Sequence, residues 1–334
     1  MKNFLKHRSQ QVIVNEELSP PIQVTSGVPQ GSIIGPLLFI IFINDVDTCA
    51  TNLQTTGGIS LFADDTKIYG HNPNEIQNTL TKLGTWFDDH LLNLARDKCV
   101  SLAVNPKGIE ETFNIQNTEL DRVESMKNLG ITVSNNLEWS NHVNNIYKNA
   151  SSYSYHILKF TKTTNIWHLL KLFTVYIRPK LEYCTPVWSP NLLKDIRKIE
   201  KIQRFFTRKI FQRCNMSYSS YANRLYQLNI KSLQYRRTFF DLIFMFKILH
   251  GLSGLNSLDY FYQKEQSYEL RDNKFKIETT RSFKSTVWHN SFFYRGAKLW
   301  NSLPEIIRCE TSLNLFRNKL HRFDLNKITK LVFP

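Results

Sequence analysis

The spacing of apolar and polar positions divides the chain into a mixed N-terminal part and a long helical remainder. Near the start, Val12-Ile13-Val14-Asn15-Glu16-Glu17-Leu18 reads as two β-prone runs around a polar turn. The stretch from Ser26 to Pro36 is rich in Gly and Pro and predicts a loop, with Gly27 and Gly31 free to take positive φ. Pro36 suits the first turn of a helix, and the apolar run Leu37 to Ile43 continues that helix into Asn44-Asp45. Ile59–Leu61 and Lys67–Tyr69 are short β-prone runs on either side of Phe62-Ala63-Asp64-Asp65, so a hairpin is expected there with Asp64 at or beside its turn. The helix from Pro36 to Val46 should pack against this small sheet, because its Leu, Ile and Phe side chains need an apolar surface to cover.

After Trp139 the pattern is almost wholly helical. Residues 134–180 read as helices. Lys194 to Arg213 places Ile196, Ile199, Gln203, Phe206 and Ile210 near one face, with Lys198, Lys201, Arg204, Arg208 and Lys209 around the rest. A second helix runs from about Tyr235 to His250, with Gly251 as its stop. Residues 263–285 show little periodicity and read as a loop or linker. The predicted class is α+β.

Two chemical features stand out against this frame. Adjacent carboxylates on a tight turn repel one another unless a cation lies between them. Asp64 and Asp65 therefore suit Mg²⁺, or Mn²⁺ in its place, as a hard ion that takes oxygen ligands and keeps phosphates as partners. A bare Asp-Asp pair is more simply read as a solvated turn, and the upstream loop is what favours the metal. A Gly-rich loop entering a helix presents N–H groups to phosphate or sugar, although many buried helices begin the same way.

Charge sharpens the division. Residues 1–133 carry 10 Lys/Arg against 15 Asp/Glu, whereas residues 134–334 carry 33 against 13. A lobe with a net charge of +20, interleaved with aromatics, is the expected footprint of nucleic-acid binding through phosphates, the alternative being a merely solvated surface. No run reaches the length of a membrane span, and no membrane partner is expected. The cysteines (Cys49, Cys99, Cys184, Cys214, Cys309) have no CxxC spacing, which argues for a reduced intracellular setting, nuclear or cytoplasmic. The histidines show no HxxxH or HExxH pairing, so metal roles are not assigned to them.

Gly27-Val28-Pro29-Gln30-Gly31-Ser32 followed by Phe62-Ala63-Asp64-Asp65 resembles motifs B and C of reverse transcriptases from non-LTR (LINE-type) retrotransposons, nearest to the jockey and CR1-like branches. Trp86-Phe87, Leu91 to Leu94 and Lys98 resemble motif D, and Lys127-Asn128-Leu129-Gly130-Ile131-Thr132-Val133 resembles the motif E strand, with Asn128 where an aromatic is usual. Leu137-Glu138-Trp139 and His142 resemble the opening of the thumb, and Leu299-Trp300-Asn301-Ser302-Leu303-Pro304 the C-terminal block.

The resemblance implies a partial polymerase palm, a small antiparallel sheet with packed helices, followed by a helical thumb and C-terminal region. The expected divisions are 1–133 for fingers and palm, 134–190 for thumb-like helices and 191–334 for a basic helical region. It implies an RNA-directed DNA polymerase acting on an RNA template, a DNA primer or RNA–DNA hybrid, and deoxynucleoside triphosphates. Asp64 and Asp65 would bind metal; Gly27, Pro29, Gln30, Gly31 and Ser32 would line the nucleotide and template side; Lys98 would lie near the triphosphate, or be a plain exposed lysine. Lys198, Lys201, Arg204, Arg208 and Lys209 would contact the nucleic-acid backbone, or be solvated.

One part of the family pattern is not found. Motif A supplies a third carboxylate upstream of motif B, yet only Glu16 and Glu17 are acidic before Gly27. The expectation is a fragment that begins after motif A and is inactive alone, since two metals about 3.5–4 Å apart need more ligands than one turn supplies. The alternative to a polymerase fragment is a nucleic-acid-binding remnant that makes no bond.

Overall fold

The computed structural model describes residues 5–29, 31–50, 57–104, 111–263, 275–279 and 286–328. The chain forms two compact units, Met1–Val123 and Glu124–Pro334.

In the first unit, β1 (Arg8–Gln10) pairs antiparallel with β4 (Ile22–Val24), and between them β2 (Ile13–Val14) pairs with β3 (Glu17–Leu18). The β2–β3 turn is Asn15-Glu16, both at positive φ, which matches the right-handed twist of the strands it joins. The loop from Ser26 then enters α1 (Gly35–Ile43), with Pro36 in its first turn. A side chain at residue 35 would put its Cβ 2.8 Å from Ser32 Oγ and 3.0 Å from the Pro29 carbonyl, so this close approach requires Gly. A 3₁₀ turn, Asn44–Ala50, follows. The expected hairpin is present as β5 (Gly58–Phe62) and β6 (Asp65–Tyr69).

Next comes α2 (Pro73–Asp89), capped by Asn72, whose side chain accepts from the Asn74 amide at 3.1 Å. Leu80, Leu83, Trp86 and Phe87 of α2 bury against Ile43, Val46 and Cys49, with Phe39, Ile59 and Ile68 packed at the edge. The packing of α1 meets the expectation on one side only. Its Phe39–Ile43 side joins this cluster, which takes in Ile59 and Ile68 of the hairpin as well as α2, while Leu37, Ile40 and Ile41 remain 58%, 59% and 63% exposed. A nine-residue helix covers one stripe in this way, and among the described residues nothing covers the other.

The second unit opens ten residues before the expected division. The reason is β7 (Ser125–Asn128) and β8 (Ile131–Ser134), a hairpin whose buried Ile131 packs into the helical core that follows. His142, on α3 (Ser140–Phe160), accepts a hydrogen bond from the Thr132 amide at 3.2 Å and meets Trp188 edge-on at 4.9 Å between ring centres. After α4 (Ile166–Leu172) the helix widens into a π segment, Phe173–Ile177, just before Pro179 in α5 (Arg178–Glu182). Proline lacks the N–H that would bond the carbonyl four residues back, which accounts for the irregularity there. Short α6 (Thr185–Trp188) precedes α7 (Leu193–Arg213).

Helices α3 and α7 lie parallel. Ser140 Oγ donates to Asp195 at 2.6 Å, Lys198 reaches Asn144, and Arg213 donates to the Leu158 carbonyl, at sequence separations of 55, 54 and 55. The face of α7 expected to be apolar is buried: Ile196, Ile199, Gln203, Phe206 and Ile210. It joins Leu169, Phe173, Leu181 and Trp188 in one core.

A second core gathers around α9 (Leu233–Leu249), which follows α8 (Tyr221–Gln227). It holds Phe246, Trp300 and Phe316, the last two from α10 (Phe292–Asn301) and α11 (Leu313–Arg322). Between the cores, buried Glu200 accepts from the amides of Leu233 (3.1 Å) and Gln234 (3.3 Å) at the start of α9, and from the Tyr221 hydroxyl. Burial pushes the Glu200 carboxyl up in pKa, while the Tyr221 bond, Arg237 and the two amides pull it down.

The almost wholly helical stretch expected after Trp139 has one exception. The β9 strand (Phe261–Gln263) pairs with β10 (Ile277–Thr279), because Phe261 and Ile277 are buried and Asn301 binds the Ile277 amide (3.0 Å) and carbonyl (2.7 Å). The rest of the stretch read as a linker, 264–274 and 280–285, lies outside the described residues.

Candidate functional site

The β5–β6 hairpin closes on a two-residue loop, Ala63-Asp64, with Phe62 paired to Asp65. Ala63 sits at φ 52°, a conformation more often taken by Gly. Asp64 therefore occupies the loop and Asp65 the first strand position, both exposed. Neither has an ion-pair partner among the described residues, and Lys98 does not pair with them. That lysine ends a short 3₁₀ turn, Arg96–Lys98, and is exposed.

Upstream, Gly27 and Gly31 take φ of 78° and 80° with open space where a Cβ would stand, so the backbone angle is what demands Gly. Arg8 Nη2 donates to the Gly27 carbonyl at 2.6 Å and ties the β1 strand to the loop. Ser32 Oγ donates to the Pro29 carbonyl at 2.7 Å and accepts from the Gly35 amide at 3.0 Å, closing the loop onto α1. Gln30 lies outside the described residues. Loop and hairpin are linked through packing: the loop feeds α1, and α1 shares a core with Ile59 and Ile68 of the two strands that carry the carboxylates.

Two neighbouring carboxylates suit a divalent ion's preference for oxygen donors. Among the described residues, however, no group of three His, Cys, Asp or Glu side chains converges. The described residues therefore do not by themselves fit a two-metal centre, which needs ligands to both ions.

On α7 the structure separates the five predicted phosphate contacts. Lys201, Arg204 and Arg208 are exposed. Lys198 and Lys209 are half-buried, the first bonded to Asn144 and 5.4 Å from the Tyr147 ring centre, the second 5.9 Å from that of Phe205. Sequence reasoning passed over Lys194 and Arg197. Both are exposed, and with Lys201, Arg204 and Arg208 they recur at intervals of three and four along one helical face. That interval was the signal available.

The loop and the hairpin both fall within a stretch that matches a known family. The reverse transcriptase (RNA-dependent DNA polymerase) family profile matches residues 1–133. Residues 1–133 are reverse transcriptase sequence. The chain is 22% identical over 220 residues to the probable RNA-directed DNA polymerase from transposon X-element of Drosophila melanogaster, covering 63% of this chain and 24% of that protein. It is 26% identical over 156 residues to the RNA-directed DNA polymerase from mobile element jockey of the same fly, covering 44% and 17%. An uncharacterized protein of Caenorhabditis elegans is 34% identical over 112 residues, 34% of this chain and 57% of that protein. The chain thus spans about a fifth of these fly polymerases. Similarity to X-element extends over more of the chain than the reverse transcriptase profile does, so the element-type relationship reaches beyond residue 133. No helix among the described residues is long and apolar enough to cross a membrane.

Proposed function

We propose that this chain is part of an RNA-directed DNA polymerase of a non-LTR retrotransposon, with residues 1–133 a portion of its fingers and palm and the helices beyond them a thumb and a basic C-terminal region. The observation that carries this is the placement of Asp64 and Asp65 at the tip of a tight β-hairpin within the stretch that matches the family. In this reading Asp64 and Asp65 contribute oxygen donors for Mg²⁺ or Mn²⁺. The loop from Gly27 to Ser32, to which Pro29, Gln30 and Gly31 belong, faces the incoming deoxynucleoside triphosphate and the template. Lys98 lies on the triphosphate side. Lys201, Arg204 and Arg208 hold the phosphates of RNA or of an RNA–DNA hybrid, with Lys198 and Lys209 adding charge behind them.

A second reading has an observation of its own. With two carboxylates and no third converging among the described residues, the chain in this reading does not hold two metals and acts as a nucleic-acid-binding protein that makes no bond. Primer extension on an RNA template with Mg²⁺ or Mn²⁺ separates the two. The isolated polypeptide is expected to give no extension, since transition-state charge goes uncompensated. Extension that vanishes in Asp64→Ala would show that this chain completes its own centre.

A further inference from the structure

We propose that the exposed side of the parallel pair α3 and α7 is a track for single-stranded nucleic acid, in which aromatic rings on α3 stack with unpaired bases beside a line of phosphate-binding cations. The inference rests on the nucleic-acid reading above and adds to it a strand form and a place.

Its first support is charge. Helix α3 contains no Asp or Glu, and α7 contains only Asp195 and Glu200. Both are buried and committed, Asp195 to Ser140 and Glu200 to the start of α9. The exposed surface of both helices is therefore free of carboxylates over about 30 Å of helix. Against this stand Lys148 and Lys159 on α3 and the exposed stripe on α7. A solvated helix ordinarily mixes both signs; a surface of one sign favours a polyanion.

The second support is the rings. Tyr155 and Phe160 are 60% and 74% exposed, in the last turns of a helix whose opposite face is core. Lys159 Nζ lies 5.8 Å from the Tyr155 ring centre and 5.7 Å from that of Phe160, so cation and aromatics form one patch. His156 continues it, its ring stacked parallel to Phe160 at 6.3 Å. At the offset of 54 residues set by the Lys198–Asn144 contact, Tyr155 and Lys159 stand level with Lys209 and Arg213. The aromatic patch thus stands level with the C-terminal end of α7.

The third support is rigidity. Arg213 donates to the carbonyls of Leu158 and Thr161, fastening the end of α3 where the rings project. A backbone held in place beneath the rings removes part of the ordering cost of stacking.

A duplex keeps its base faces covered and engages only the cations. A single strand offers both phosphates and π faces, which is the combination presented here.

The test uses the full chain with fluorescein-labelled 20-mers of oligouridylate and oligodeoxythymidylate, and a duplex with the same number of phosphates, followed by anisotropy across a salt series. Tyr155→Ala with Phe160→Ala is expected to weaken single-strand binding at least about fivefold and up to about 150-fold per stacked ring, leaving duplex binding within about twofold and the salt slope unchanged. Unchanged duplex binding also reports that the variant is folded, and Tyr155→Phe should restore affinity. If the double variant binds the single strands as wild type does, or loses duplex and single strand equally, the stacking track is wrong while the charge reading stands. If the wild type binds none of the probes, the nucleic-acid reading itself falls.

Discussion

The two units bury their apolar side chains very differently. The second encloses Trp188, Phe206, Phe246 and Phe316 completely, in two cores joined through Glu200 and α9. The first has a single small core around α2 and leaves one side of α1 in solvent. Yet the first holds the family-matched loop and hairpin, while the second supplies most of the positive charge. Stability and candidate chemistry therefore sit in different places, and substitutions in the two units should have separable effects.

The largest stability effect is expected from Phe206→Ala. Its ring is fully buried and packs on Phe173 at 5.2 Å between centres, and truncation leaves a cavity costing about 3–5 kcal/mol. Urea denaturation followed by far-UV circular dichroism reads it. Glu200→Ala comes next, at about 3 kcal/mol, because it strands the Leu233 and Gln234 amides and the Tyr221 hydroxyl in the interior. Glu200→Gln keeps an acceptor and should cost less. Equal losses in the two Glu200 variants would mean that the joint between the cores depends on charge rather than on acceptor geometry.

A third effect depends on pH. Burial lowers the His142 pKa from 6.5 to about 4. The unfolded chain thus takes up a proton below about pH 6.5 that the folded chain refuses until about pH 4. Stability from neutral His142 is present in full above pH 6.5 and is lost as pH falls toward 4, on the order of 2 kcal/mol. The difference in urea midpoint between wild type and His142→Gln should shrink over that window. A constant difference would contradict the assignment of the titration to His142. The smallest effect is expected at Ile41→Ser on the open side of α1, within about 0.5 kcal/mol, since an exposed side chain loses little on truncation.

How much of this was legible in the sequence follows the same division. Asp64-Asp65 between two β-prone runs marked the hairpin, and the spacing of Ile196, Ile199, Phe206 and Ile210 marked the buried face of α7, because both signals are local. Periodicity was less able to rank the cations. Lys198 and Lys209 are spaced like surface residues, but the parallel approach of α3 draws Lys198 against Asn144 and Tyr147, a tertiary fact, while Lys209 lies over Phe205 one turn back on α7 itself. Likewise β10 was hidden in a polar stretch, since its pairing depends on Asn301, 24 residues away. The open side of α1 was missed because an apolar run says that a surface needs cover, not that cover is present.

The central claim is that the basic second unit grips nucleic acid through phosphates, and the most direct test is the salt dependence of binding by the intact chain and by its Lys201→Ala, Arg204→Ala, Arg208→Ala variant. Each neutralised phosphate contributes a log–log slope of roughly −0.7 to −0.9, so the account predicts steep dependence for wild type and a slope flattened by up to about three contacts' worth in the variant. Affinity independent of salt, or an identical slope in the two proteins, would contradict it.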